Sequence, residues 1–323
     1  ALDRRGYGPG RKELHLLIAP PKHGKTWWLI HLARQALYQR WKVLYVTLEV
    51  SAQKIGFRFL QSLYSLTKRQ SEDPTYLTKF KLGEISRPLN RQEKNLPTSA
   101  REQIEDDLRE VIGVTREKVI RPSLSEQKTI ADVSRKVRVL RSKKKLRIKE
   151  FPTGGLSVAE LRAHLDAMSL TENFTPDLLI IDYPDLMRVE SDNYRIELGN
   201  IFKQLRGIAV ERNIAVAVAT QVNREGSTKR TSTGADVSED FSKIAIADSV
   251  LSYNRTGAEK NAGLARIYVA AGRDDEDMFH VLITQSYEIG QFVLDSRRMQ
   301  QKDTIWISKL GTSAEAEKEE EQP

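Results

Sequence analysis

Short apolar runs alternate with amphipathic stretches along most of this chain. Leu14 to Ala19 is the first run, and a turn-rich segment and a helical stretch from Trp28 to Leu37 follow it. Val43 to Leu48 is the second, ending on Glu49, and a further helix runs through Phe57, Leu60 and Leu63. Runs this short and this apolar suit strands buried on both faces, and their alternation with helices predicts a parallel sheet with crossover helices. The rhythm weakens over about 67–147, a highly charged segment broken by Pro74, Pro88, Pro97 and Pro122, which reads as a helical insertion. It resumes at Leu146 to Phe151. Ser157 and Glu160 then form a capping box, in which each side chain can take the other's backbone amide at a helix start. Asp177 to Asp182 is a central-strand run ending on a carboxylate. A helix from about Arg195 to Arg212 leads into Ile214 to Gln221, another buried strand. Residues 250–253, 265–271 and 280–284 read as strands of a closing antiparallel portion. The stretch after Gly311 is acidic and reads as a disordered tail.

Composition narrows the chemistry. The 323 residues hold no cysteine, which excludes disulfides, thiolate metal sites and cysteine nucleophiles and leans towards a reducing compartment. The five histidines show no zinc-helix spacing. No apolar run approaches the roughly 18 residues a spanning helix needs, so no membrane role is expected. The formal charge is +8 despite the acidic tail, and that excess suits a polyanionic partner, nucleic acid being the common one. The chain opens at Ala1 in what reads as a linker, residues 1–13, as a trimmed product or numbering from inside a longer protein would.

Ala19-Pro20-Pro21-Lys22-His23-Gly24-Lys25-Thr26 fits a phosphate-binding loop, with Ala in place of the first Gly. Consecutive amides in such a loop cradle phosphate oxygens at a helix N-terminus, and the nucleotide-holding stretch runs on to Trp27. Lys25 would neutralise the β- and γ-phosphates of ATP, and the Thr26 hydroxyl would ligate Mg²⁺. The position of the motif between a buried strand and a helix is the context that distinguishes it from an ordinary turn. Asp182, at the end of its strand, would hold the rest of the Mg²⁺ shell. Glu49 could orient and deprotonate an attacking water, or simply favour a helix N-terminus. Gln221 ends a third strand and could sense the γ-phosphate through its amide.

Taken in order, these segments resemble the RecA-like motor domain of DnaB-type replicative helicases. The resemblance rests on Gly8-Pro9-Gly10, the loop ending Gly24-Lys25-Thr26, and Thr47-Leu48-Glu49-Val50-Ser51-Ala52. It continues through 155–162, Ile180 to Met187, Thr220 to Arg224, and Ala247-Asp248-Ser249-Val250. It implies a RecA-like α/β P-loop NTPase with a mainly parallel central sheet flanked by helices, spanning about 14–310 with the charged helical insertion inside it. It further implies Glu49 as catalytic base, Gln221 as the link from γ-phosphate to DNA-binding loops, and Arg273 as an arginine finger supplied to a neighbouring subunit. The family usually has Lys two positions before that finger, where this chain has Ala271. Loops at 222–233 and 236–243 would line the channel of a homo-hexameric ring. Arg224, Lys229 and Arg230 would meet phosphates there, Ser238, Glu239 and Phe241 would sit where the family grips single-stranded DNA, and Lys243 would complete the DNA-binding set. Phe241 could stack on a base or pack beneath the loop. The implied activity is ATP-driven translocation on single-stranded DNA, 5′→3′, in DNA replication in a bacterial or phage-infected cytoplasm, with a primase or helicase loader as further partner. A RecA- or KaiC-like ATPase without unwinding activity is the alternative. A second basic cluster, Arg135 to Lys149, could bind nucleic acid or a partner, or be a solvated helix face.

Overall fold

The structure is a computed structural model that describes residues 8–68, 74–142, 145–189, 193–221, 241–272, 277–300, 303 and 307. Strand and helix alternate through the first part of the chain: β1 (Leu14–Ala19), α1 (Lys25–Tyr38), β2 (Val43–Thr47) and α2 (Ala52–Tyr64). The pattern returns with β5 (Leu146–Glu150), α6 (Val158–Glu172), β6 (Leu178–Asp182), α7 (Tyr194–Arg212) and β7 (Ala215–Gln221). The short α8 (Phe241–Ile246) precedes β8 (Ser249–Asn254), α9 (Gly257–Asn261), β9 (Leu264–Gly272), β10 (Phe279–Ser286) and β11 (Gln291–Arg298).

Among the described residues these strands form one nine-stranded sheet in the order β11-β10-β9-β8-β1-β7-β6-β2-β5. The pairings from β8 through β1, β7, β6 and β2 to β5 are parallel, and those from β8 through β9 and β10 to β11 are antiparallel. The expected parallel sheet with an antiparallel portion is therefore present. The period-2 geometry of each strand splits its apolar side chains between two cores. Leu14, Leu16 and Ile18 join Val216, Val218 and the inner faces of α6 and α7. Leu17 and Ala19 join Tyr45, Ile180, Ala217 and the inner faces of α1 and α2 on the other side. The Ser157–Glu160 capping box starts α6 as the sequence indicates.

The insertion departs from expectation. Its main body is an antiparallel ribbon, β3 (Pro74–Ile85) against β4 (Arg109–Ile120), rather than a set of helices. Among its described residues helices occur at its tip, α3 (Arg91–Lys94) and α4 (Thr98–Leu108), and after it, α5 (Gln127–Ser142). Pro74 does not break a helix; it opens a strand, where its missing N–H costs no ladder bond. The ribbon leans on the antiparallel half of the sheet: Val111 packs against Leu282 and Ile307, and the Thr78 hydroxyl donates to the Ala262 carbonyl at 3.0 Å. Part of the basic cluster is engaged internally. Lys136 lies over the Tyr64 ring at 5.0 Å, Lys145 donates to the Arg40 carbonyl at 2.7 Å, and Arg147 bonds Glu172 at 3.0 Å.

Candidate nucleotide site

The parallel strands deliver their last residues to one edge of the sheet, the place where open α/β sheets bind ligands. Ala19 is in register with Gln221 across the β1–β7 pair, and Thr47 with Asp182 across β2–β6. The loop after β1 turns sharply into α1. Lys22 and Gly24 both adopt positive φ, 61° and 99°, and the Gly24 carbonyl then takes the first helical bond from Trp28 at 3.0 Å. Glycine is required at 24 twice over. The left-handed backbone disfavours a side chain, and a Cβ there would lie 2.2 Å from the Tyr287 hydroxyl.

Lys25 opens α1 with its side chain turned in under the loop, 5.5 Å above the Tyr183 ring. Burial pushes its ammonium below the ordinary lysine value, while the carboxylates of Glu49, Asp182 and Asp185 counter that shift. An anionic ligand would do the same, more strongly. Asp182 is fully buried. Burial raises its pKa, opposed by the hydroxyls of Tyr45 and Thr26, with Glu49 adding to the rise and Lys25 subtracting from it. Tyr45 donates to its Oδ2 at 2.9 Å, whereas Oδ1 is buried with no hydrogen-bond partner in the protein. The peptide bond after Asp182 is cis.

Glu49 sits just beyond β2 on a firmly tied turn. The Leu48 amide donates to the Asp182 carbonyl at 3.0 Å, the Thr153 hydroxyl to the Leu48 carbonyl at 2.8 Å, and the Val50 amide to the Thr47 hydroxyl at 3.2 Å. The carboxylate itself is exposed, held near Lys25 and Asp182 but open to solvent. Gln221 donates from Nε2 to the Tyr183 hydroxyl at 2.8 Å. Tyr183 is pushed up to about 12, chiefly by burial and then by the charges of Glu49, Asp185 and Asp182.

The structure therefore brings Lys25, Thr26, Glu49, Asp182 and Gln221 together. Arg273, Arg224, Lys229, Arg230, Ser238 and Glu239 lie outside the described residues, as does the side chain of Phe241. Lys243 is described and does not face outward. Its ammonium pairs with Asp185 and donates to the Thr220 hydroxyl at 3.2 Å, and its side chain is 6% exposed. The part-buried carboxylate that takes this charge comes 58 residues earlier in the chain.

The aromatic surroundings of the loop are barely signalled by the sequence. Trp27 stacks on Tyr287 at 5.8 Å, Arg58 lies over Trp27 at 5.6 Å, and Arg255 lies over Tyr287 at 5.2 Å. Only the Trp immediately after the loop motif hints at this flat assembly. Among the described residues no group of three or more His, Asp or Glu side chains could hold a metal ion unaided. The donor set instead suits Mg²⁺ held partly by phosphate: a hydroxyl, one buried carboxylate with an unpartnered oxygen, and room for water.

Loop, carboxylate and sheet define a P-loop NTPase of the RecA-like class. The family model of the DnaB-like helicase C terminal domain matches residues 96–276, more than half of the chain, and the chain belongs to that family. The matched stretch contains Asp182, Gln221 and Arg273, while the P-loop and Glu49 precede it. A DnaB-like replicative helicase of Enterobacteria phage T4 is 30% identical over 117 residues, 35% of this chain and 25% of that protein. The chain thus aligns with about a quarter of that relative's length. Among solved structures, an ATPase domain superposes with a TM-score of 0.63 at 16% identity, over 93% of this chain and 89% of that one. A DnaB-like replicative helicase studied with regard to its interactions with primase gives 0.62 at 17%, over 90% and 61%. At such identities the two structures speak for the fold. No helix among the described residues is long and apolar enough to cross a membrane.

Proposed function

We propose that this chain is the ATP-driven motor of a replicative DNA helicase, translocating on single-stranded DNA as part of a homo-hexameric ring. The observation that carries this reading is the convergence of Lys25, Asp182, Glu49 and Gln221 at one sheet edge in a member of the DnaB-like family. The loop 19–27 would take the phosphates of ATP on its amides, with Lys25 neutralising charge on the transferred phosphoryl. Thr26 and Asp182 would hold Mg²⁺, which when bound neutralises charge on the phosphate oxygens. Glu49 would orient the attacking water and take its proton, and its exposure at the site mouth leaves that proton a route to solvent. Gln221, released from Tyr183, would turn to the γ-phosphate. Arg273 of a neighbouring subunit would complete the site, in which case hydrolysis depends on assembly. Trp27, Tyr287 and Arg255 offer flat surfaces beside the loop for the base. Arg224, Lys229 and Arg230 would contact DNA phosphates, with Ser238, Glu239 and Phe241 beside them, and a primase or loader would be the further partner.

The test is turnover of ATP–Mg²⁺ by the 323-residue chain with and without single-stranded DNA, alongside mass photometry under the same conditions. Strong stimulation by DNA together with a hexamer supports the reading, and an unwinding assay then separates it from a RecA- or KaiC-like ATPase. A protein that is monomeric in every condition and indifferent to DNA would overturn it.

A further inference from the structure

Beside Gln221 lies a polar cluster to which the proposed nucleotide chemistry assigns no direct role. Asp185 sits in the single 3₁₀ turn Pro184–Leu186. Its carboxylate accepts from the Thr220 hydroxyl, at 3.1 Å to Oδ1 and 2.9 Å to Oδ2, and is ion-paired with the Lys243 ammonium. Lys243 also donates to the Thr220 oxygen, so the one hydroxyl gives its proton to the carboxylate and takes one from the ammonium. Thr220 is fully buried, and the Lys243 ammonium is 5.2 Å from the Phe202 ring centre. Desolvating an ammonium and a carboxylate costs several kcal/mol per ion, and a buried pair seldom stabilises a fold more than apolar residues of the same volume. Stability alone is therefore a poor reason for this cluster to sit in an otherwise apolar region.

Its placement suggests a better one. Thr220 is the residue before Gln221 on β7, while Lys243 lies on α8, and in sequence the two flank residues 222–240. Asp185 is two residues from Tyr183, whose hydroxyl receives the Gln221 amide. One short segment, 183–185, thus holds Gln221 through Tyr183 and grips the strand end and α8 through Asp185. We infer that Asp185, Thr220 and Lys243 form a positioning network for Gln221, fixing where β7 ends relative to α8 and so transmitting the state of the nucleotide site to bound single-stranded DNA. The inference rests on the motor reading given above.

The experiment compares wild type, Thr220→Val, Lys243→Arg and the double variant Asp185→Asn/Lys243→Met. Asp185→Asn alone would strand a buried ammonium and is expected to destabilise. Thr220→Val keeps the β-branched shape, and the double variant removes both charges together. ATP–Mg²⁺ affinity is read from the nucleotide-induced thermal shift, and kcat and KM are measured with and without a single-stranded oligonucleotide. Thr220→Val, which alters no charge near Lys25, should keep wild-type nucleotide affinity and KM, and both it and the double variant should lose about 10-fold of the DNA stimulation of kcat. Lys243→Arg, which preserves the pair, should retain the stimulation. Wild-type stimulation in both Thr220→Val and the double variant would overturn the inference, as would a loss of nucleotide affinity in step with kcat in Thr220→Val, or failure of both to fold, since either marks a purely structural cluster. A wild-type chain that DNA does not stimulate would sink the motor reading first, and this inference with it.

Discussion

The strand-end edge of the sheet and the β3–β4 ribbon are both rich in charge, yet they use it differently. At the edge, Asp182 is wholly buried with one oxygen unpartnered, and Lys25 is held under the loop with its ammonium pushed down by burial. On the ribbon, Lys79 meets Glu117 at 2.7 Å with more than half of each side chain in solvent. Lysine and carboxylate therefore span the range from tuned interior groups to a screened surface contact. Charge matters to chemistry where solvent has been removed around it, and the apolar strands are what remove it.

That contrast can be pressed at several points. The largest effect should come from Glu49→Gln, which keeps the shape of the turn but removes the carboxylate proposed as base. Turnover should fall by about 10²–10⁴-fold with nucleotide binding intact. A variant that hydrolyses ATP at the wild-type rate would remove Glu49 from its role. Next, Lys25→Met takes a desolvated charge out of the fold. The ligand-free protein should melt about 2 °C higher while its thermal shift on adding ATP–Mg²⁺ disappears. A lower melting point would show that Lys25 is stabilised by its three neighbouring carboxylates rather than strained by burial.

A smaller effect concerns pH. The Asp182 carboxyl is raised above its ordinary 3.8 in the fold, so the folded state holds its proton more tightly than the unfolded chain does. Its contribution to stability is fully present below the ordinary value and is lost as pH rises through the raised one. Melting curves across that window should show wild type losing stability relative to Asp182→Asn as pH rises, and saturating ATP–Mg²⁺ should narrow the gap. Parallel curves for the two proteins would contradict the shift. At the bottom of the scale, Lys79→Ala on the ribbon should leave both melting point and nucleotide response at wild-type values. A clear loss of either would mean that the ribbon is more than a surface appendage.

How much of this is legible in the sequence follows the same division. Glu49, Asp182 and Gln221 stand out because each follows a run of apolar residues, and a polar group at the end of a buried strand is conspicuous; Lys25 stands out through the loop motif between strand and helix. The ribbon stays hidden for the opposite reason. Its alternation slips at Leu77 and Thr78, which are both buried, and charged residues on its outer face mask the period-2 pattern that remains. Lys243 looks like a surface cation because nothing local identifies Asp185 as its partner. The stacking of Trp27 on Tyr287 is equally hidden, since it joins the first helix to the antiparallel half of the sheet.

That last contact has a practical consequence. The indole of Trp27 belongs to the helix that starts at the phosphate loop, and the phenol stacked on it is the group that approaches Gly24. Nucleotide arriving in the loop cannot move Gly24 without disturbing the ring beside Trp27. The protein thus contains its own optical probe: the emission of one of its four tryptophans should change on nucleotide binding, without any label attached. Comparing wild type with Trp27→Phe would isolate that signal and allow occupancy to be followed in real time.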